Sequence, residues 1–341
     1  MKPQTRNNWL AAAGAGLLLA AATLWSNRRG TYDLRGRVVL ITGGSRGLGL
    51  ILARQAVAEG AKVAICARDA DELERARQEL TADGAEVLAL VRDLTNATEV
   101  RTLVAEVQQQ LGPIDVLVNN AGIITAGPLD HMELREYEDS MDTHFWAPLH
   151  AMQAVLPDMR LRGEGRIVNI ASVGGKVAVP HLAPYSASKF ALVGLSEGFR
   201  AELRQYGIQV TTVCPGLLRT GSARNAIVKG QHRKEYAWFT IADSLPAFTV
   251  GAESAARQIW NACRRGDAEI IIGLPAKLLS AFHGLAPGTT ADMLSWVNRT
   301  LPGPTGKQGD ARRFGHESES EITQSWLTTL TRQAEKKNNE L

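Results

Sequence analysis

A tyrosine and a lysine four residues apart, Tyr185 and Lys189, have the types and spacing to move a proton, though that spacing alone is common by chance. Four residues is about one helical turn, so both side chains share one helix face. A phenol of ordinary pKa near 10 is a poor proton shuttle at neutral pH, and a neighbouring ammonium stabilises the phenolate and lowers that value. Such a tyrosine can protonate a carbonyl oxygen or take the proton back from an alcohol. A second cluster is Thr42-Gly43-Gly44-Ser45-Arg46-Gly47-Leu48-Gly49. Its glycines let the backbone turn sharply and come close to a ligand. A helical pattern begins at once, and its free N–H groups and positive dipole end suit a pyrophosphate. Metal chemistry has no such support: Cys66, Cys214 and Cys263 form no CxxC pair and no ligand spacing, and read as small buried apolar residues in a reducing compartment.

These residues need elements to hold them. From Arg37 onward, short β-branched runs alternate with longer stretches of helical spacing. The runs VVLIT (38–42), KVAICA (62–67), AEVLALV (85–91), IDVLV (114–118), RIVNIA (166–171), IQVTTV (208–213) and EIIIG (269–273) are apolar almost throughout. Strands buried on both faces of a parallel sheet have that pattern. Residues 48–59, 71–81, 97–111, 134–159 and 185–206 carry helical spacing. The expectation is an α/β fold, a doubly wound, Rossmann-type parallel sheet of about seven strands with helices on both faces, spanning residues 34–273. The glycine cluster then closes the first strand. Residues 274–341 read as a C-terminal extension, polar and turn-rich over 301–320, hence partly flexible, with a terminal helix at 321–337.

With 45% hydrophobic and 21% charged residues, the chain of 341 is too apolar for disorder. The net charge of +3 is uneven, because Lys2, Arg6, Arg28, Arg29, Arg35 and Arg37 outweigh Asp33 near the start and leave the rest slightly acidic. A basic excess confined to one end argues against a nucleic-acid-binding body. Within residues 1–30 lies an uncharged run, 9–25, with a tryptophan at each end. As a helix it would rise about 25 Å, at the short limit for a hydrocarbon core of about 30 Å. It reads as a retained membrane anchor, as a signal peptide cleaved near Ala20-Ala21-Ala22, or as a surface helix, which its lack of a polar face disfavours. The preferred expectation is a transmembrane anchor with the body in the cytoplasm, where phosphorylated dinucleotides are supplied; export after cleavage is the alternative.

Five motifs in order make the body similar to the short-chain dehydrogenase/reductase family in its shorter, single-domain form. TGxxxGxG matches Thr42 to Gly49, and NNAG is Asn119-Asn120-Ala121-Gly122. The family serine is Ser172, YxxxK is Tyr185 to Lys189, and PG…T is Pro215-Gly216 with Thr220. The resemblance implies hydride transfer between a nicotinamide cofactor and a carbonyl or secondary alcohol. Ser172 would hold the substrate oxygen, Tyr185 would be the acid/base, and Lys189 would bind ribose hydroxyls as well as steady the phenolate, helped by the oxidised nicotinamide. The cofactor would run along Thr42, Gly43, Ser45, Arg46, Gly47, Leu48 and Gly49. Asp93 would meet the adenine beside Leu94, while Asn119, Ala121 and Gly122, then Pro215, Gly216 and Thr220, would line the remainder.

NAD is usually held by an acid at the end of the second strand. Here Ala67 takes that place and Arg68 comes next, with Arg46 within reach. Two guanidinium groups suit a 2′-phosphate, so NADP(H) is expected over NAD(H). The sequence departs from the family at His144, where an asparagine usually holds a water on the lysine's proton path. Imidazole can serve a relay, or it can be a packed side chain. The segment 221–249 reads as a lid that ends in Tyr236, Trp238, Phe239, Ile241, Leu245 and Phe248. Those side chains either favour a lipophilic substrate or pack on the body, a dimer partner or the bilayer. A homo-oligomer is implied by the resemblance, through helices 97–111 and 134–159 or 185–206. The rival reading is a membrane-anchored regulatory protein that binds dinucleotide with impaired catalysis, His144 being the lesion.

Overall fold

The computed structural model describes residues 32–341, apart from the side chain of Leu327. All seven apolar runs are strands of one sheet: β1 (Val38–Thr42), β2 (Lys62–Ala67), β3 (Val87–Val91), β4 (Ile114–Asn119), β5 (Gly165–Ile170), β6 (Ile208–Pro215) and β7 (Glu269–Ile272). They lie in the order β7-β6-β5-β4-β1-β2-β3 and every pairing is parallel. β1 is buried at every position, which is why its sequence runs apolar without alternation. The order reverses between β1 and β4, and in such a sheet the ligand crevice opens there, beyond the carboxyl ends of the strands. The expected doubly wound α/β fold is the observed one.

Helices cover both faces: α1 (Gly47–Ala58), α2 (Ala70–Thr81), α3 (Ala97–Leu111), α4 (Leu134–Met141), α5 (Ala147–Arg162), α6 (Ala183–Leu203), α7 (His232–Ser244), α8 (Ala252–Arg265), α9 (Leu274–Leu285), α10 (Pro287–Asn298) and α11 (Thr329–Lys337). In α3, Asn96 caps the first turn by accepting from Thr98 N and Glu99 N, and Val100, Leu103, Val104 and Val107 form the buried stripe. That stripe packs with Met152, Val155 and Met159 of α5 and with the inner face of the sheet. The continuous helix expected over 134–159 is instead two helices joined by a π-helical turn, Asp142–Trp146. The extra residue of a π turn rotates the next helical segment about its axis, and here the turn carries a fully buried His144.

The C-terminal extension is part of the same compact unit, Leu34–Leu341. The stretch 301–320, expected to be flexible, is tied down along its length. Arg313–Phe314 pairs antiparallel with Ile227–Val228. His131 meets Asp310 at 2.7 Å and accepts from Thr305 N at 2.9 Å, and Arg312 bonds Asp139 at 2.7 Å. A polar, glycine-rich segment lacks a core of its own, but the body supplies the partners its backbone and charges need. The terminal helix is shorter than the expected 321–337, because it begins only at Thr329.

Among the described residues no helix is long and apolar enough to cross a membrane. The expectation of a membrane-anchored, transmembrane protein with a cytoplasmic body is corrected accordingly. It rested on residues 9–25, which lie outside the described residues.

Candidate active site

The glycine loop joins β1 to α1 at the point where the strand order reverses. A Cβ on Gly49 would stand 2.1 Å from Gly43 O, so only glycine lets the helix start this close to the turn. Thr42 Oγ1 accepts from Asn120 N at 2.9 Å and Ala121 N at 3.1 Å, and Asn120 Nδ2 donates to Thr42 O and Gly43 O, both at 3.0 Å. The end of β4 is thereby bolted to the loop. Asn120 is the residue that does this and it was not singled out from the sequence, although it sits inside the NNAG motif. Asn119, expected to line a cofactor, turns its side chain into the core, where Nδ2 donates to Asn169 Oδ1 at 2.7 Å. Gly122 stays exposed at the crevice.

Around the loop, Ser45 is buried and donates to Glu72 Oε2 at 3.2 Å, while Arg46 bonds Glu72 Oε1 at 2.5 Å. Leu48 is half-buried and Arg68 is exposed at the end of β2. Asp93 accepts from Thr95 N and Oγ1 at 3.0 and 2.9 Å, so its carboxylate closes a local turn, and Leu94 packs on the core. Pro215 ends β6, Gly216 N donates to Ile272 O at 2.9 Å, and buried Thr220 bonds Ser222 Oγ at 2.8 Å.

The other side of the crevice is built by β5 and α6. Ser172 lies just beyond β5, and its Oγ accepts from Gly174 N at 3.0 Å. Tyr185 and Lys189 share one face of α6, with Lys189 Nζ 5.7 Å from the Tyr185 ring centre. Lys189 Nζ donates to Ile170 O at 2.8 Å, which anchors α6 to the strand. A Cβ on Gly174 would stand 3.3 Å from Ser172 Oγ and 3.2 Å from Tyr185 Cε1, so the serine lies beside the tyrosine and lysine that share the helix face. Their electrostatics differ from the expectation that the lysine lowers the phenol. Burial pushes Tyr185 up, and Ser172 only partly opposes it. Burial also pulls Lys189 down to about 7, because no carboxylate among the described residues pairs with it.

His144 lies edge-on to the Tyr185 ring, with centres 5.4 Å apart. Ile123 N donates to Nε2 at 3.1 Å, so the ring proton is on Nδ1, which meets Ser188 Oγ at 2.7 Å; Ser188 in turn donates to Tyr185 O at 2.9 Å. Burial, reinforced by the Lys189 charge, holds the imidazole well below its ordinary pKa and hence neutral. Both ring nitrogens are therefore committed to the protein, an arrangement of a packed, bonded histidine rather than an open relay.

The lid is α7 and the segment before it. Tyr236 and Phe239 are buried against Ala223 and Val228. The lipophilic-substrate expectation loses these two side chains, which the lid uses for its own packing. A cavity of about 340 Å³ lies between Val179, Pro180, His181 and the stretch Leu301 to Pro304. Ser172, Tyr185 and Lys189 are not in its wall, so it lies apart from that cluster.

The family model for short chain dehydrogenases matches residues 37–229. The chain is 38% identical over 189 residues to a gluconate 5-dehydrogenase of Gluconobacter oxydans, covering 55% of this chain and 74% of that one. It is 35% identical over 269 residues to a dehydrogenase/reductase SDR family protein 7-like of Anopheles gambiae, covering 77% and 83%. Its structure superposes with a TM-score of 0.64 and 29% identity on a gluconate 5-dehydrogenase from Burkholderia cenocepacia solved with NADP and tartrate, over 72% of this chain and 97% of that one. With the parallel sheet, the glycine loop at its reversal point and the serine, tyrosine and lysine gathered beside it, this chain is a member of the short-chain dehydrogenase family of oxidoreductases, which bind a nicotinamide dinucleotide.

Proposed function

We propose that the protein transfers hydride between NADP(H) and a carbonyl or secondary alcohol, with Tyr185 as acid and base. The observation that carries this reading is the Ser172–Tyr185–Lys189 cluster at the end of β5, facing the glycine loop across the crevice. The residues fit a dinucleotide. The loop leaves no space for a Cβ at Gly43 or Gly49, and α1 offers its amino end to an anion. Bound there, the nicotinamide supplies or accepts the hydride. Arg46, Leu48 and the loop amides would hold the phosphates, and exposed Arg68 is free to turn onto a 2′-phosphate, for which β2 offers no competing acid. A relative solved with NADP supports that choice.

Burial keeps Tyr185 protonated, as a donor to a carbonyl oxygen must be, and the Lys189 ammonium, when charged, eases the loss of that proton. Ser172 Oγ lies beside the same phenol and would share the substrate oxygen with it. Lys189, at about 7, can gain or lose a proton near neutrality and so relay one to the phenol. The relatives named as dehydrogenases support chemistry at a carbon–oxygen bond. The test is NADPH consumption with a panel running from hydroxy acids to long-chain ketones and aldehydes, with Tyr185→Phe as the blank. Tyrosine-dependent consumption is expected. Equal consumption by Tyr185→Phe would sink the mechanism.

A further inference from the structure

The glycine loop already has an occupant, the last residues of the chain itself. α11 packs on α7, with Ser244 Oγ against Thr331 Oγ1 at 2.5 Å, and delivers the terminus across the start of α1. Gly47 N, the first amide of that helix, donates to Asn338 O at 2.9 Å. Asn338 Nδ2 donates to Thr220 O at 2.9 Å, and Asn339 Nδ2 to Ser45 O at 2.9 Å and Glu72 O at 3.0 Å. The Glu340 carboxylate lies between Arg46 Nε, at 3.4 Å, and Asn225 Nδ2, at 2.7 Å, with its side chain 1% exposed. A Cβ placed on Gly47, whose φ is +56°, would be 2.7 Å from Glu340 Oε1. That oxygen is buried without a hydrogen-bond partner. Arg75 completes the clasp by bonding Asn339 Oδ1 and Leu341 O at 2.9 and 3.1 Å.

These contacts have the chemistry of a bound phosphate. A carbonyl oxygen satisfies the first free amide of a helix, and an acid sits on the loop arginine at the positive end of the helix dipole. The space between Gly47 and Thr220 cannot hold both the Glu340 carboxylate and a pyrophosphate. The body ties the segment at Ser45, Glu72, Arg75, Thr220 and Asn225, residues dispersed along the chain, so the terminus is specifically seated.

We propose that residues 338–341 are a built-in competitor of the dinucleotide, occupying its phosphate cradle until they swing out. The proposal rests on the reading that the glycine loop binds the cofactor's pyrophosphate. When the competent, open form is a minor population, the apparent dissociation constant rises by the inverse of that fraction. Removing the occupant therefore tightens binding without adding a contact.

The test is NADPH binding, measured by fluorescence titration, for the full chain, for a chain ended at Lys337, and for full-length Glu340→Lys, which sets like charge against Arg46. The shortened chain is expected to bind about tenfold more tightly, and Glu340→Lys to move several-fold in the same direction. In the full chain, saturating NADPH is expected to speed hydrogen exchange at residues 338–341. Equal dissociation constants in all three chains overturn the proposal, as does weaker binding without the tail, which would make the segment part of the cofactor site. If none of the three binds NADPH or NADH, the cofactor reading itself fails and takes the proposal with it. Should the shortened chain not fold, Glu340→Lys and the exchange measurement decide.

Discussion

The two walls of the crevice treat charge in opposite ways. At the glycine loop the chain supplies counter-groups to itself: Arg46 lies on Glu72 and Glu340, Arg75 on the terminal backbone, and the first amide of α1 on Asn338. At the tyrosine the chain supplies almost none. Lys189 donates to a single backbone carbonyl, and burial drives the lysine toward its neutral form and the phenol away from its charged one. A wall that is already satisfied can be regulated by displacing what satisfies it. A wall whose buried lysine has no counter-charge is poised to take one up from outside, because a partner that supplies it in a buried setting is held strongly there.

The widest gap between the walls is expected from Tyr185→Phe. It removes the only proton the phenol can give while keeping the ring against His144, so turnover falls by about a thousandfold, with NADPH affinity within a few-fold by titration. A large loss of affinity would mean that the tyrosine belongs to the binding wall instead. Next comes Arg68→Ala. Losing a charge-assisted contact to a 2′-phosphate should weaken NADPH by about tenfold and leave NADH nearly unchanged. Equal losses for the two cofactors would remove the 2′-phosphate assignment.

A comparable effect is expected from pH, and its sign is fixed by burial. Burial pushes Glu340 up from 4.5 to about 7, opposed by Arg46 and Asn225 and aided by Glu72 and Glu335. Asp243, pushed up to about 7 mainly by burial and in part by the Glu340 charge, acts in the same direction. A carboxyl raised on docking favours the docked tail fully below 4.5, and that advantage is lost as pH rises through about 7. NADPH binding to the full chain should thus improve by about tenfold between pH 5 and 8 beyond any change in the chain ended at Lys337. The shortened chain also corrects for titration of the cofactor's own phosphate, near pH 6. Parallel pH curves for the two chains would remove Glu340 as the titrating group.

The smallest effect is expected from His144→Asn. The histidine is neutral and held at both nitrogens, so its replacement should change turnover by less than about tenfold and leave the pH profile in place. A shifted profile would put the imidazole on the proton path after all.

Much of this was legible along the chain. Strands buried on both faces announce themselves as apolar runs, and 38–42, 62–67 and 114–118 were located within a residue of β1, β2 and β4. The glycine loop and the Tyr185–Lys189 pair were legible because each is a local pattern whose geometry is set by one turn or one helix. The break at Asp142–Trp146 was not, since a π turn keeps the helical look of its flanks. Asn119 and Asn120 are adjacent and chemically identical, and only the strand's facing decides that one enters the core and the other clamps the loop.

What the sequence by itself determined is therefore the sheet, the loop at its reversal point and the residue types gathered there, because periodicity and short motifs encode them within a few turns of chain. Only the tertiary structure decided which charges meet. Nothing local links Glu340 to Arg46 or Asn338 to Gly47, which are nearly three hundred residues apart in sequence. Their contact exists because α11 packs on α7, and that packing fixes where residues 338–340 lie.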